Sequence, residues 1–189
     1  MSKWSDFYGT RAHNYIGYKE YCKIRYAPFI DTILTISDDE DGDRSGFLAG
    51  EIGCGLGTIS GILIDCRPDD LFCASDIDTD MLKLANIIHP CLDAFAHDAR
   101  KPLKKVMAGI DIVYSHGLLE HFSNEDIRKI ISINNNSHQV HYVPGLYETP
   151  SFGDERLMCV DEWRGICAPD EVHTFNEGLD YTLIFHPKK

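Results

Sequence analysis

Gly46-Phe-Leu-Ala-Gly-Glu51-Ile52-Gly53-Cys54-Gly55-Leu-Gly57 is the stretch on which the fold turns. Its first half is a short, mostly apolar run bounded by turn residues, which reads as a buried strand. Its second half is rich in glycine, and beyond it Ile59, Ile62 and Leu63 recur at helical spacing. Strand, glycine turn and helix in that order create a place where a ligand can approach the backbone and meet the unpaired N–H groups of a helix start. By itself such a turn is weak evidence, since the same composition also serves a purely structural role.

Outward from this stretch the cycle repeats. Leu71–Ser75 reads as a strand, followed by a helix face of Met81, Leu82, Ala85 and Ile88. Further strands are predicted at Ala94–Ala96, Ile110–Ser115 and Gln139–Val143. Ser123 with Asp126 three residues on has the form of a capping box, opening a helix through Ile127, Ile130 and Ile131. Strands alternating with helices predict an α/β fold, a mostly parallel sheet with helices on both faces. The end of the chain differs in kind. Val172–Phe175 and Tyr181–Phe185 flank a turn at Asn176-Glu-Gly178, and so short a connection requires the two strands to be antiparallel. Upstream, Tyr26, Phe29, Ile30, Ile33 and Leu34 form one face of a packing helix. Residues 1–22 mix aromatics with polar groups and read as an irregular or helical lead, placed to cap a pocket. The acidic block Asp38–Asp43 reads as a solvated loop.

A chain of 189 residues with 43% hydrophobic content suits one α/β domain spanning 1–189, the lead serving as a lid. No run approaches the roughly 20 apolar residues that span a bilayer, and the start lacks a signal-peptide layout, so a cytoplasmic protein with no membrane partner is expected. Seven cysteines without a Cys-x-x-Cys pair suggest reduced thiols. The net charge of −12 disfavours nucleic acid as a partner, because binding to phosphates draws on Lys and Arg.

Asp76 closes the second strand a little over twenty residues after Gly53. A carboxylate there can accept both hydroxyl protons of a ribose. The competing role is to cap the next helix, which Asp78 or Thr79 could fill equally well.

With these residues in place, the chain resembles the class I S-adenosylmethionine-dependent methyltransferases, those of short length with small-molecule acceptors. The resemblance runs from about Phe47 to Phe122. It implies a Rossmann-like three-layer fold with a seven-stranded, mostly parallel sheet and an antiparallel last strand. It also implies that Glu51-x-Gly53-x-Gly55-x-Gly57, with Cys54 inside it, wraps the methionine and ribose portions of S-adenosyl-L-methionine. Asp76 matches the ribose acid, with Ile77 beside it, and Ala96-His-Asp98-Ala99 resembles the adenine motif. Asp111-Ile-Val-Tyr-Ser115-His116-Gly-Leu-Leu-Glu-His121-Phe is similar to the motif of the fourth strand and its loop. Phe152-Gly-Asp-Glu-Arg156-Leu and Glu162-Trp163 resemble a segment after the fifth strand. Some relatives hold a divalent metal through Glu-x-x-Glu-His; Gly117 replaces the first Glu here, so no catalytic metal is expected.

Methyl transfer from a sulfonium is an in-line displacement, in which positioning does most of the work. A hydroxyl or amine acceptor must also lose a proton, for which a histidine of near-neutral pKa is suited. His116, at the carboxyl end of the fourth strand, is the first candidate and His121 the second. Tyr8 and Arg11 of the lead are candidates to meet the cofactor carboxylate or the substrate. With nearly all the chain spent on the cofactor fold, the acceptor site falls to residues 1–22 and 143–156, which favours a small molecule. The aromatics Trp4, Phe7, Tyr8, Tyr147, Phe152 and Trp163 are the candidates to enclose it. Two other readings share the glycine turn: a cofactor-binding partner subunit without turnover, and an NAD-dependent oxidoreductase, which the fourth-strand motif and final hairpin fit poorly. A second copy of the chain, forming a homodimer, is left open as a partner.

Overall fold

The computed structural model describes residues 3–40, 47–101, 109–151 and 154–188. Gly46, residues 41–43 of the acidic block, and Phe152 lie outside the described residues. Three helices come first: α1 (Lys3–His13), α2 (Tyr15–Arg25) and α3 (Ala27–Glu40). The alternating part follows as β1 (Leu48–Ile52), α4 (Thr58–Cys66), β2 (Leu71–Asp76), α5 (Thr79–Ile88), β3 (Asp93–Ala96) and β4 (Ile112–His116). It continues with α6 (Asn124–Ile133), β5 (His138–Pro144), α7 (Val160–Cys167), β6 (Glu171–Phe175) and β7 (Asp180–Phe185).

The strands form one seven-stranded sheet in the order β3-β2-β1-β4-β5-β7-β6. The pairs from β3 to β5 are parallel, and β7 runs antiparallel to both β5 and β6. Because β1 sits mid-sheet and is covered on both sides, its sequence is nearly continuous in apolar residues rather than alternating. On one face Phe29, Ile30 and Ile33 of α3 and Ile59, Ile62 and Leu63 of α4 pack on Ala49, Ile112 and Val140. On the other, Ile127 and Ile130 of α6 and Trp163 and Ile166 of α7 pack on Ile52, Val113 and Leu183. The seven cysteines are free thiols. No helix among the described residues is long and apolar enough to cross a membrane.

Caps place the boundaries. Asp78, not Asp76, caps α5, its carboxylate accepting from the N–H groups of Asp80 and Met81. Ser123 caps α6 by accepting from Asp126 N. Three elements differ from the sequence expectation. Helix α3 continues through Asp38, Asp39 and Glu40, residues expected in a loop. The lead is helical and runs through Arg25, past the expected limit at residue 22. Residues 160–167 form α7, whose eight residues include Gly165 and are too short to display a clear period. Tertiary contact decides it, through Trp163, which is fully buried.

Candidate active site

A cavity of about 350 Å³ opens at the carboxyl ends of β1, β2, β3 and β4, with Trp4 and Tyr8 of α1 and Tyr18 of α2 over it. Its size lies in the range of small-molecule pockets. Open parallel sheets place their ligands at this end, where helix starts and loops converge.

The glycine turn forms one wall. Cys54 N donates to Ser75 O at 3.0 Å and Gly57 N to Cys54 O at 2.7 Å, tying the turn to β2 and closing it on itself. Gly53, Gly55 and Gly57 have φ of 70°, 53° and 69°, in the left-handed region. Their neighbours differ. A Cβ at Gly53 would sit 2.5 Å from Leu118 Cδ1, and one at Gly57 2.9 Å from Leu92 Cδ2, whereas one at Gly55 would meet only Met81 Cε, at 3.6 Å. Gly53 and Gly55 line the cavity and Gly57 does not; its hydrogen instead of a side chain lets α4 pack on Leu92.

Asp76 lines the cavity and accepts from Gly55 N and Asp78 N, both at 2.8 Å, one on each carboxylate oxygen. Burial raises its pKa above the usual carboxylate value, against the pull of those backbone hydrogen bonds. Each oxygen keeps a second acceptor site. Glu51 also borders the cavity, but its carboxyl group is turned to the start of α4, accepting from Ser60 Oγ at 2.5 Å and Ser60 N at 3.2 Å. Burial pushes it up to about 8, so it is mostly a neutral acid at pH 7.

Asp98 and Ala99 line the cavity as well, and Ile77 projects at its mouth, 66% exposed. The Asp98 carboxylate is held by a neighbour the sequence reading passed over. Arg100 Nε donates to Oδ1 at 2.9 Å and Nη2 to Oδ2 at 3.0 Å, which holds Asp98 down at about 2. Arg100 directly follows the motif, two residues after Asp98, so the contact was legible.

The two histidines both reach the cavity, with unlike surroundings. His116 lies parallel to the Tyr142 ring, centroids 4.6 Å apart at 18°, with the edge of Tyr26 at 4.1 Å. Its Nε2 is buried without a hydrogen-bond partner. Desolvation lowers its pKa to about 3, outweighing a backbone hydrogen bond that pulls the other way, which corrects the expectation of a near-neutral histidine. His121 pairs through Nδ1 with Asp154 Oδ1 at 3.2 Å, and Trp4 stands edge-on to its ring at 5.1 Å. Nearby, the Glu120 carboxyl group is buried, with Oε2 unpartnered, and burial pushes it up to about 8.

Of the lead residues, Tyr8 lines the cavity beneath Trp4, while Arg11 does not. Arg11 is spent locally, donating to Phe7 O at 2.9 Å and lying 4.0 Å over the Phe7 ring. Ser115 is also outside the cavity, since a strand alternates its side chains and Ser115 points to the opposite face from Tyr114 and His116, toward His141 Nδ1 at 2.8 Å. Gly57, Arg11 and Ser115 are therefore the three cofactor and catalytic candidates that the fold does not bring to the wall; of the aromatics expected to enclose an acceptor, Trp4 and Tyr8 line it, whereas Phe7, Tyr147 and Trp163 do not, Trp163 being buried in the core. Unanticipated at the wall are Tyr18, Met81, Leu118 and Arg100. Asp154 gave no signal, because only the folded loop brings it to His121. Among the described residues, no group of three or more His, Cys, Asp or Glu side chains is arranged to hold a metal ion.

Neither a protein-family model nor a curated protein matches the chain. Solved structures do. The PH0226 protein from Pyrococcus horikoshii OT3 superposes with a TM-score of 0.65 at 16% identity, over 86% of this chain and 91% of that one. The CurJ carbon methyltransferase gives 0.62 at 12% identity, over 78% and 50%. OxaC, solved in complex with SAH and oxaline, gives 0.61 at 13% identity, over 79% and 44%. The chain has the class I methyltransferase fold. It spans about half the length of CurJ and OxaC, and identities this low speak to the fold alone.

The residues present at the cofactor end of this methyltransferase fold suit an adenosyl sulfonium. Gly55 offers bare backbone where a side chain would occupy the cradle, and Asp76 has acceptor sites left for a ribose diol. Asp98 can accept an adenine amine only by sharing its oxygens with Arg100.

Proposed function

We propose that the protein is an S-adenosyl-L-methionine-dependent methyltransferase acting on a small-molecule acceptor. The observation that carries this reading is the single cavity in which the Gly53–Gly55 turn, Asp76 and Asp98 share walls with two histidines under an aromatic lid. When bound, the cofactor supplies an electrophilic methyl carbon and a thioether leaving group. The chain's own residues then have three tasks. Gly55, Asp76, Ile77 and Asp98 hold the adenosyl part, and Trp4, Tyr8 and Tyr18 exclude water from above. His116 meets the acceptor as a neutral hydrogen-bonding group, its unpartnered Nε2 being the reason. His121 takes the proton. An acceptor held there would give up its proton to His121 Nε2, while Asp154 holds Nδ1–H. This reverses the order in which the two histidines rank by sequence.

Isothermal calorimetry with S-adenosylmethionine, S-adenosylhomocysteine and NAD tests the binding half. Both adenosyl ligands should bind and NAD should not; binding of NAD alone overturns the assignment. Asp76→Ala should weaken adenosylhomocysteine binding by roughly 2 kcal/mol, as for a lost charge-assisted pair. Incorporation of labelled methyl groups into a metabolite extract tests turnover. Binding without any incorporation would instead mark a partner subunit.

A further inference from the structure

Asp180 is a buried carboxylate that the cavity does not use. It opens β7 opposite Pro144, at the cavity end of the sheet, and its side chain is fully shielded from solvent. Four donors from four segments converge on it. Tyr142 Oη donates to Oδ1 at 2.9 Å and Tyr147 Oη to the same oxygen at 2.5 Å. Arg25 Nη2 lies 2.7 Å from Oδ2, and Asn176 Nδ2 donates to that oxygen too. A buried carboxylate with fewer partners would be costly, and one with this many is a fixed point in its surroundings.

Two of those donors lead to His116. Tyr142 is the ring stacked on the imidazole, and its hydroxyl is tied to Asp180. Tyr26, whose edge meets the same imidazole, directly follows Arg25 in the chain, so the ion pair to Asp180 anchors its backbone. Both jaws of the aromatic clamp are therefore referred to one carboxylate. The Nε2 atom of His116 has no hydrogen bond, and beyond a contact with its own backbone the ring is held by the clamp.

We infer that Asp180 is a positioning residue for the acceptor end of the cavity: by holding the Tyr142 hydroxyl and Arg25, it fixes the aromatic clamp that orients His116. The inference rests on the proposed function in one respect, the role of His116 toward an acceptor. Asp180 itself touches neither cofactor nor acceptor, since neither it nor any of its four donors lines the cavity.

The test uses the full chain with Asp180→Asn and Tyr142→Phe. Imidazole resonances of His116 are identified by their loss in His116→Gln and followed by NMR against pH, and adenosylhomocysteine affinity is measured by calorimetry. In both variants the His116 signals should move. Its titration midpoint should rise by about one pH unit or more, as water enters a loosened clamp. Adenosylhomocysteine affinity should change by less than about threefold, because the cluster is remote from the cofactor walls. Unchanged His116 signals and midpoint in the folded variants overturn the inference. If Asp180→Asn does not fold, Tyr142→Phe decides alone, since it removes one hydroxyl and keeps the ring. Failure of the wild-type chain to bind adenosylhomocysteine would count against the proposed function while leaving the His116 measurement readable.

Discussion

The glycines at positions 53, 55 and 57 share a left-handed backbone and differ in what their missing side chains make room for. That difference separates two effects which a glycine motif ordinarily confounds. An L-residue in this conformation costs roughly 1–2 kcal/mol wherever it is placed. Gly57→Ala should therefore lower thermal stability, by that amount plus the displacement of Leu92, while the folded protein keeps its affinity for adenosylhomocysteine. Gly55→Val carries the same backbone cost, but its side chain projects toward the cavity, and binding should be lost. Thermal denaturation and calorimetry on the two variants check the pair, and wild-type binding by Gly55→Val would mean that the ligand does not lie along this turn. The glycine spacing was legible in the sequence. Which glycine faces the ligand was not, because it depends on Leu92, Leu118 and Met81 arriving from other segments.

Among the elements, α2 is what fixes the lead beside the cavity. Its start is tied to the end of α5 by Tyr15 Oη and His89 Nε2, 2.6 Å apart, its middle to α4 by Lys19 and Asp65, and its end to β7 by Arg25 and Asp180. Gly61 of α4 makes the first tie fit, since a Cβ there would lie 2.1 Å from His89 Cε1. The exposed Lys19 pair adds little, as surface ion pairs do. Removing the Tyr15 hydroxyl strands a nitrogen of a half-buried histidine, at a cost of about 1–3 kcal/mol. For Tyr15→Phe, hydrogen exchange in residues 3–25 should speed up and adenosylhomocysteine should partly restore protection. Unaltered exchange there would show that the lid is held by its other contacts. The aromatic richness of this segment suggested a cap, but its helical form was ambiguous in sequence because its apolar residues face two things at once, the cavity and the neighbouring helices.

For the molecule as a whole, buried titratable groups set the pH range of stability. His89, His116 and His141 are pushed down to about 4, 3 and 3 by burial, from an ordinary 6.5. Their contribution is full above 6.5 and is lost as pH falls, when the unfolded chain binds protons that the folded one refuses. Glu51 and Glu120, pushed up to about 8 from 4.5, act in the opposite sense. They favour the folded state below 4.5, and that contribution is lost as pH rises toward 8. Between 4.5 and 6.5 the two sets oppose each other, so urea denaturation should find greatest stability near pH 6.5, falling on both sides. Glu51→Gln should flatten the alkaline limb; a limb of unchanged slope would mean that Glu51 is ionised in the folded protein. None of these shifts is visible in sequence, since each is created by burial. What the sequence by itself determined was the alternation of strands and helices from β1 to β5, the antiparallel end and the glycine turn with Asp76 behind it, because periodicity and turn chemistry are local properties. Only the tertiary structure decided that His121 has Asp154 and His116 an aromatic clamp, and that Ser115 faces His141. Those are questions of which side chains meet across the sheet, and distance in space between segments far apart in the chain leaves no periodic trace.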